Sequence, residues 1–146
     1  MLTNYSIKDL YALALAEGEG MGTAYEYYAK RLVLGCWLSG MTPVQSILVA
    51  GLPEHYGASM DFVLLATELR ARLTIIDDRP EAIKQLTSSV QALRMIPAAP
   101  PVNPPAVTLV TDLKTTSAIR DTFDLAISSE VLQRLSPADR ISYVQN

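Results

Sequence analysis

Four short apolar runs recur along the last two-thirds of the chain: SILVA (46–50), LTIID (73–77), AVTLV (106–110) and FDLAIS (123–128). Each is short enough for a strand and apolar over most of its length, the pattern of strands buried on both faces. The segments between them have helical character. Residues 57–71 place Phe62, Leu65, Ala66 and Leu69 on one helical face. DRPEAIKQLTSSVQAL (78–93) opens with a helix start signal. Asp78 can accept from backbone N–H groups, Pro80 suits the first turn, and Glu81 follows Asp78 by three residues. SPADRISYVQ (136–145) starts another helix, with Ser136 as N-cap and Asp139 in its first turn. Strands alternating with helices at this spacing predict an α/β fold, a parallel sheet with helices on both faces.

The segment before the first run differs. SIKDLYALALA (6–16) reads as a helix capped by Ser6, EGEGMG (17–22) interrupts it, and 23–39 is a second helix candidate. Residues 1–42 therefore form an N-terminal helical cap, and 43–146 the sheet domain. PAAPPVNPP (97–105) holds five prolines and excludes helix and inner strand. It reads as a surface loop inside the domain, because the alternation resumes after it.

Charge and cysteine usage narrow the partners. A net charge of −3 with no Lys/Arg cluster argues against nucleic acid. No apolar run approaches the roughly 18 residues that a bilayer span needs, and the N-terminus does not read as a signal peptide. A soluble, cytoplasmic protein is expected. The lone cysteine, Cys36, excludes an intramolecular disulfide and a multi-cysteine metal site, and no metal is expected. Its setting, LVLGCWL, predicts a buried structural thiol.

In open parallel sheets ligands bind beyond the carboxyl ends of the strands. Those ends are Gly51 onward, Asp77–Asp78, Thr111–Asp112 and Ser128–Glu130. The loop after the first run reads GLPEHYG (51–57). Asp77 lies about one strand–helix–strand unit later, where a carboxylate can accept two hydrogen bonds from the ribose hydroxyls of a nucleotide over Gly51. Alternatively Asp77 and Asp78 both cap the next helix; the favoured division gives ribose to Asp77 and the cap to Asp78. Asp112 either meets an adenine amino group or is a solvated loop carboxylate. Ser128 and Ser129 either line the site or turn the chain.

LTIIDDRPEAIKQL, VTLVTDL and FDLAISSEVLQRLSPADRISYV, in this order after a strand–glycine turn, resemble the class I S-adenosylmethionine-dependent methyltransferases over residues 46–146. The resemblance implies a Rossmann-like sheet of about four strands in order 3-2-1-4 and S-adenosyl-L-methionine as cofactor. Gly51, Leu52, Pro53, Glu54, Asp77, Asp78, Asp112, Leu113 and Ser128 would surround it. The N-terminal helices would be the family's variable cap, with Tyr25 and Tyr28 toward substrate, or else in the core or an interface. There are departures. Val49 stands where the family has an acid, Pro53 where it has a second glycine, and Arg134 where a histidine often follows. His55 is either a general base or substrate contact, or an exposed loop histidine. Full domains of the family have seven strands, so this chain is expected to be a fragment. An open sheet edge or the N-terminal helices would then favour self-association.

The functional expectation is a methyltransferase, or a fragment of one, acting on a small molecule. One alternative is a non-catalytic methyltransferase-like scaffold or assembly module. Another is a nicotinamide dinucleotide enzyme, which would want G-x-G-x-x-G, a pattern that GLPEHYG does not supply.

Overall fold

The computed structural model describes residues 2–41, 43–54, 57, 59–110, 112–113 and 121–145. The element order is α1 (Ile7–Ala16), α2 (Met21–Leu38), β1 (Ser46–Ala50), α3 (Met60–Leu69), β2 (Arg72–Asp77), α4 (Pro80–Leu93), β3 (Ala106–Leu109), β4 (Leu125–Ile127), α5 (Val131–Arg134) and α6 (Pro137–Gln145). The strands form one sheet in order β3-β2-β1-β4, and every pairing is parallel. The α/β class and the strand order expected from sequence are both observed.

Local chemistry sets most of the boundaries. Ser6 caps α1 in a full capping box with Asp9, each side chain bonding the other's backbone. Ser136 accepts from the Asp139 N–H at 3.2 Å and so opens α6. The start of α4 departs from expectation. Its N-cap is Arg79, which provides no side-chain cap, and Pro80 takes the first position. Asp77 Oδ1 accepts from the Arg79 N–H at 2.9 Å. Asp78 instead accepts from the Leu113 N–H at 3.5 Å, so the capping work assigned to it falls one residue earlier. The strand end itself already points a carboxylate at the helix entry.

Burial follows position in the sheet. Ile47, Val49, Ile75 and Ile76 are fully enclosed in β1 and β2, the two inner strands. β3 is an edge, and Leu109 is 53% exposed. Residues 60–66 of α3 are buried on every side, so its apolar character is not confined to one face. That helix meets α1 and β2, which means that the N-terminal helices pack onto the sheet domain. Leu10, Leu13 and Tyr27 join the same core as the strands. Cys36 departs from the expected burial. It is exposed, because α2 turns the face carrying Tyr25, Val33 and Trp37 outward, and the helical period puts Cys36 there too. No helix among the described residues is long and apolar enough to cross a membrane.

Candidate functional site

The carboxyl ends of β1 and β2 meet at one point. Gly51 leaves β1 with φ +83, and its N–H donates to the Ile76 carbonyl at 2.8 Å, extending the ladder by one bond. The loop then turns directly over the end of β2. Asp77 Oδ2 accepts from the Leu52 N–H at 2.6 Å. The strand pairing predicts this meeting, because Ala50 stands opposite Ile76 and Asp77 is the next residue.

Asp77 is 0% exposed and has more partners than a ribose would bring. Arg79 lays its guanidinium along the carboxylate, with Nε 2.9 Å from Oδ1 and Nη2 3.0 Å from Oδ2. The same Nη2 donates to the Leu52 carbonyl at 2.7 Å, so Arg79 also fastens the loop. Burial pushes the Asp77 carboxyl up. The Arg79 guanidinium and the Leu52 and Arg79 N–H groups outweigh that and hold it below the usual carboxylate value. Arg134 adds a second cation, its Nη2 3.9 Å from Asp77 Oδ2 and its Nη1 3.8 Å from Asp78 Oδ1. Arg134 Nη2 is buried and has no acceptor among the described residues.

Side chains of the last segment close over the glycine turn. A β-carbon on Gly51 would collide with Val131 Cγ2 and stand 3.1 Å from Leu113 Cδ1. Val131 and Leu113 join Ile76 and Val110 in a small apolar cluster, with Ala50 and Tyr143 packed against it. Tyr143 on α6 donates its hydroxyl to the Ala50 carbonyl at 2.5 Å and stands 2.8 Å from Ser128 Oγ. Burial pushes the Tyr143 phenol up, keeping it protonated as that donor.

The opposite side of the loop meets the N-terminal helices. Glu17, at the end of α1, accepts from the Met60 N–H at 2.7 Å and from the Tyr27 hydroxyl. Glu19 accepts from the Gly57 N–H at 3.3 Å. An anion-favouring helix start is thereby taken by the chain's own carboxylates. Beside it Lys30 pairs with the buried Asp61 at 2.8 Å.

The expected residues thus divide. Gly51, Leu52, Pro53, Asp77, Asp78 and Leu113 come together, with Arg79 Nη2 3.4 Å from the Pro53 carbonyl. Ser128 is tied to the same edge through Tyr143. Glu54 is exposed in the loop, and Asp112 is half-buried beside Leu113. His55 and Thr111 lie outside the described residues. Tyr25 and Tyr28 are not brought to this point. Tyr25 is 62% exposed, and Tyr28 lines a groove with Leu2, Tyr5, Arg31, Cys36 and Leu69. Leu69 ends α3, so that groove lies at the far end of the helix from Met60, because a helix of ten residues carries the chain about 15 Å away. Sequence reasoning missed Arg79, Val131, Glu17 and Tyr143 as site neighbours. Arg79 had a visible signal, since a cation two residues beyond a strand-end carboxylate can fold back onto it.

As chemistry, the acceptor that Asp77 offers suits the diol end of a nucleoside in place and in kind. A carboxylate at the end of β2 faces the backbone of the loop after β1. It suits that ligand only in exchange for Arg79, because Leu52 and Arg79 already supply four N–H donors, about all that a carboxylate accepts. No group of three or more His, Cys, Asp or Glu among the described residues is placed to hold a metal ion. No family model, curated protein or solved structure matches the chain.

Proposed function

We propose that this chain is a class I S-adenosylmethionine-dependent methyltransferase, or a fragment of one, acting on a small molecule in the cytoplasm. The reading is carried by Asp77, a buried carboxylate at the end of the second strand of a 3-2-1-4 parallel sheet, reaching the loop backbone at Leu52. That is where a ribose diol binds in sheets of this plan. S-adenosyl-L-methionine supplies an activated methyl group, and the protein's share is to position it against an acceptor. Asp77 would hold the diol, the Leu52 N–H would hold Asp77 in its rotamer, and Leu113 and Asp112 would lie toward the base. Val49 replaces the family's acid, and Glu54 would substitute for it near the amino-acid end.

A second reading has its own support. Val131 lies directly over Gly51 and both Asp77 oxygens are engaged, which favours a non-catalytic module of the same plan. Such a module would act through its surface, and the exposed Tyr25, Val33 and Trp37 of α2 and the outer edges of β3 and β4 offer contacts for a second copy.

Calorimetric titration separates the readings. Heat of binding with S-adenosylhomocysteine, none with NAD, and loss of the signal in Asp77→Asn support the methyltransferase. Absence of binding by S-adenosylhomocysteine, with the fold verified by circular dichroism, favours the non-catalytic module.

A further inference from the structure

The Arg79 fork approaches Asp77 side-on, one nitrogen to each oxygen, at 2.9 and 3.0 Å. A vicinal diol engages a carboxylate in the same way, one hydroxyl to each oxygen. Resting on the nucleoside reading above, we propose that Arg79 is an internal surrogate for the ribose diol, which must leave Asp77 before a nucleoside can bind there.

Three features make this exchange feasible. Arg79 is the partner that can leave, since its side chain is 22% exposed, whereas the Leu52 N–H belongs to the turn itself. Asp77 is not left as a bare buried charge when Arg79 swings out. Arg134 Nη2 waits 3.9 Å from Oδ2, buried and without an acceptor among the described residues. At that distance it keeps a compensating charge beside the carboxylate while leaving the acceptor positions that Arg79 vacates to the diol. Arg79 also has carboxylates to turn toward, since Asp78 and Glu54 both add to the negative field around its guanidinium.

The exchange makes affinity depend on the fraction of molecules in which Arg79 has left. Replacing Arg79 removes that penalty, but only for ligands that use both Asp77 oxygens. The test is calorimetric titration of the wild-type chain, Arg79→Ala and Arg79→Lys with adenosine and with 2′,3′-dideoxyadenosine. Lysine keeps the charge beside Asp77 but cannot form the fork, so it guards against a variant that fails to fold. The expected result is adenosine binding at least about threefold tighter in both variants, with no gain for the dideoxy compound. An equal gain for both nucleosides would make Arg79 a steric obstacle rather than a diol surrogate and overturn the inference. Weaker adenosine binding in folded variants would make Arg79 a ligand-holding residue, overturning the inference while the nucleoside reading stands. If no nucleoside binds any of the three folded proteins, the nucleoside reading falls and takes the inference with it.

Discussion

Gly51 and Val131 are in contact across the end of the sheet, the valine methyl lying where a β-carbon on the glycine would be. The glycine is therefore required twice, once by its φ of +83 and once by its neighbour. Gly51→Ala should cost about 2–4 kcal/mol, the sum of left-handed strain and overpacking. Val131→Ala in the same chain should recover the packing part and leave the strain. Denaturant midpoints of the two single variants and the double variant measure the split, and strict additivity would contradict it.

Asp77 makes stability depend on acid. Its folded carboxyl titrates below the usual 3.8, so its contribution is complete above that value and is lost as pH falls through the lower, folded one. Asp77→Asn should cost on the order of 2–3 kcal/mol near neutral pH, where charge-assisted bonds to Leu52 and Arg79 are lost. The difference from wild type should shrink below about pH 4. Thermal melts of both proteins between neutral pH and pH 3 check this, and a constant difference would remove Asp77 as the cause.

Lys30 is the counter-charge for Asp61, which is 3% exposed and has one oxygen without a hydrogen-bond partner among the described residues. Burial pushes the Asp61 carboxyl up even with Lys30 beside it. Lys30→Met should cost about 3 kcal/mol by stranding that carboxylate. Adding Asp61→Leu should return most of the loss. Urea titration of the pair gives the answer, and a double variant no better than Lys30→Met would show that the stranded Asp61 charge is not the cause of the loss.

Tyr27 ties the N-terminal helices to α3 through Glu17. Burial and the Glu17 carboxylate push the Tyr27 phenol far up, so it remains a donor at all ordinary pH. Tyr27→Phe leaves Glu17 Oε2 without that donor and should cost about 1–3 kcal/mol. Amide exchange should quicken at Met60, whose N–H depends on the same carboxylate. Unchanged protection there would mean that Glu17 holds the helix start unaided.

Much of this was legible in the sequence. The four apolar runs gave a parallel sheet because period and length are local properties, and Asp77 fell at a strand end for the same reason. The caps at Ser6 and Ser136 were readable because each is completed within four residues. The rest depended on long-range neighbours. Nothing local says that Val131 arrives over Gly51 from 80 residues away, or that Tyr143 reaches the Ala50 carbonyl at the end of β1. Asp78 lost its cap because Asp77 was better placed by the strand it ends. Cys36 was expected inside because its neighbours are apolar, yet α2 exposes that apolar face.

The central claim is that a nucleoside seats on Asp77 at the end of β2. Its most direct test is a residue-resolved amide NMR titration of the chain with S-adenosylhomocysteine. The account predicts saturable shifts concentrated at Gly51, Leu52, Asp77, Asp78 and Leu113, with the Arg79 side-chain Nε–H signal moving as its bond to Asp77 is lost. Shifts confined to the groove lined by Leu2, Tyr28 and Cys36, or none at millimolar ligand, would contradict it.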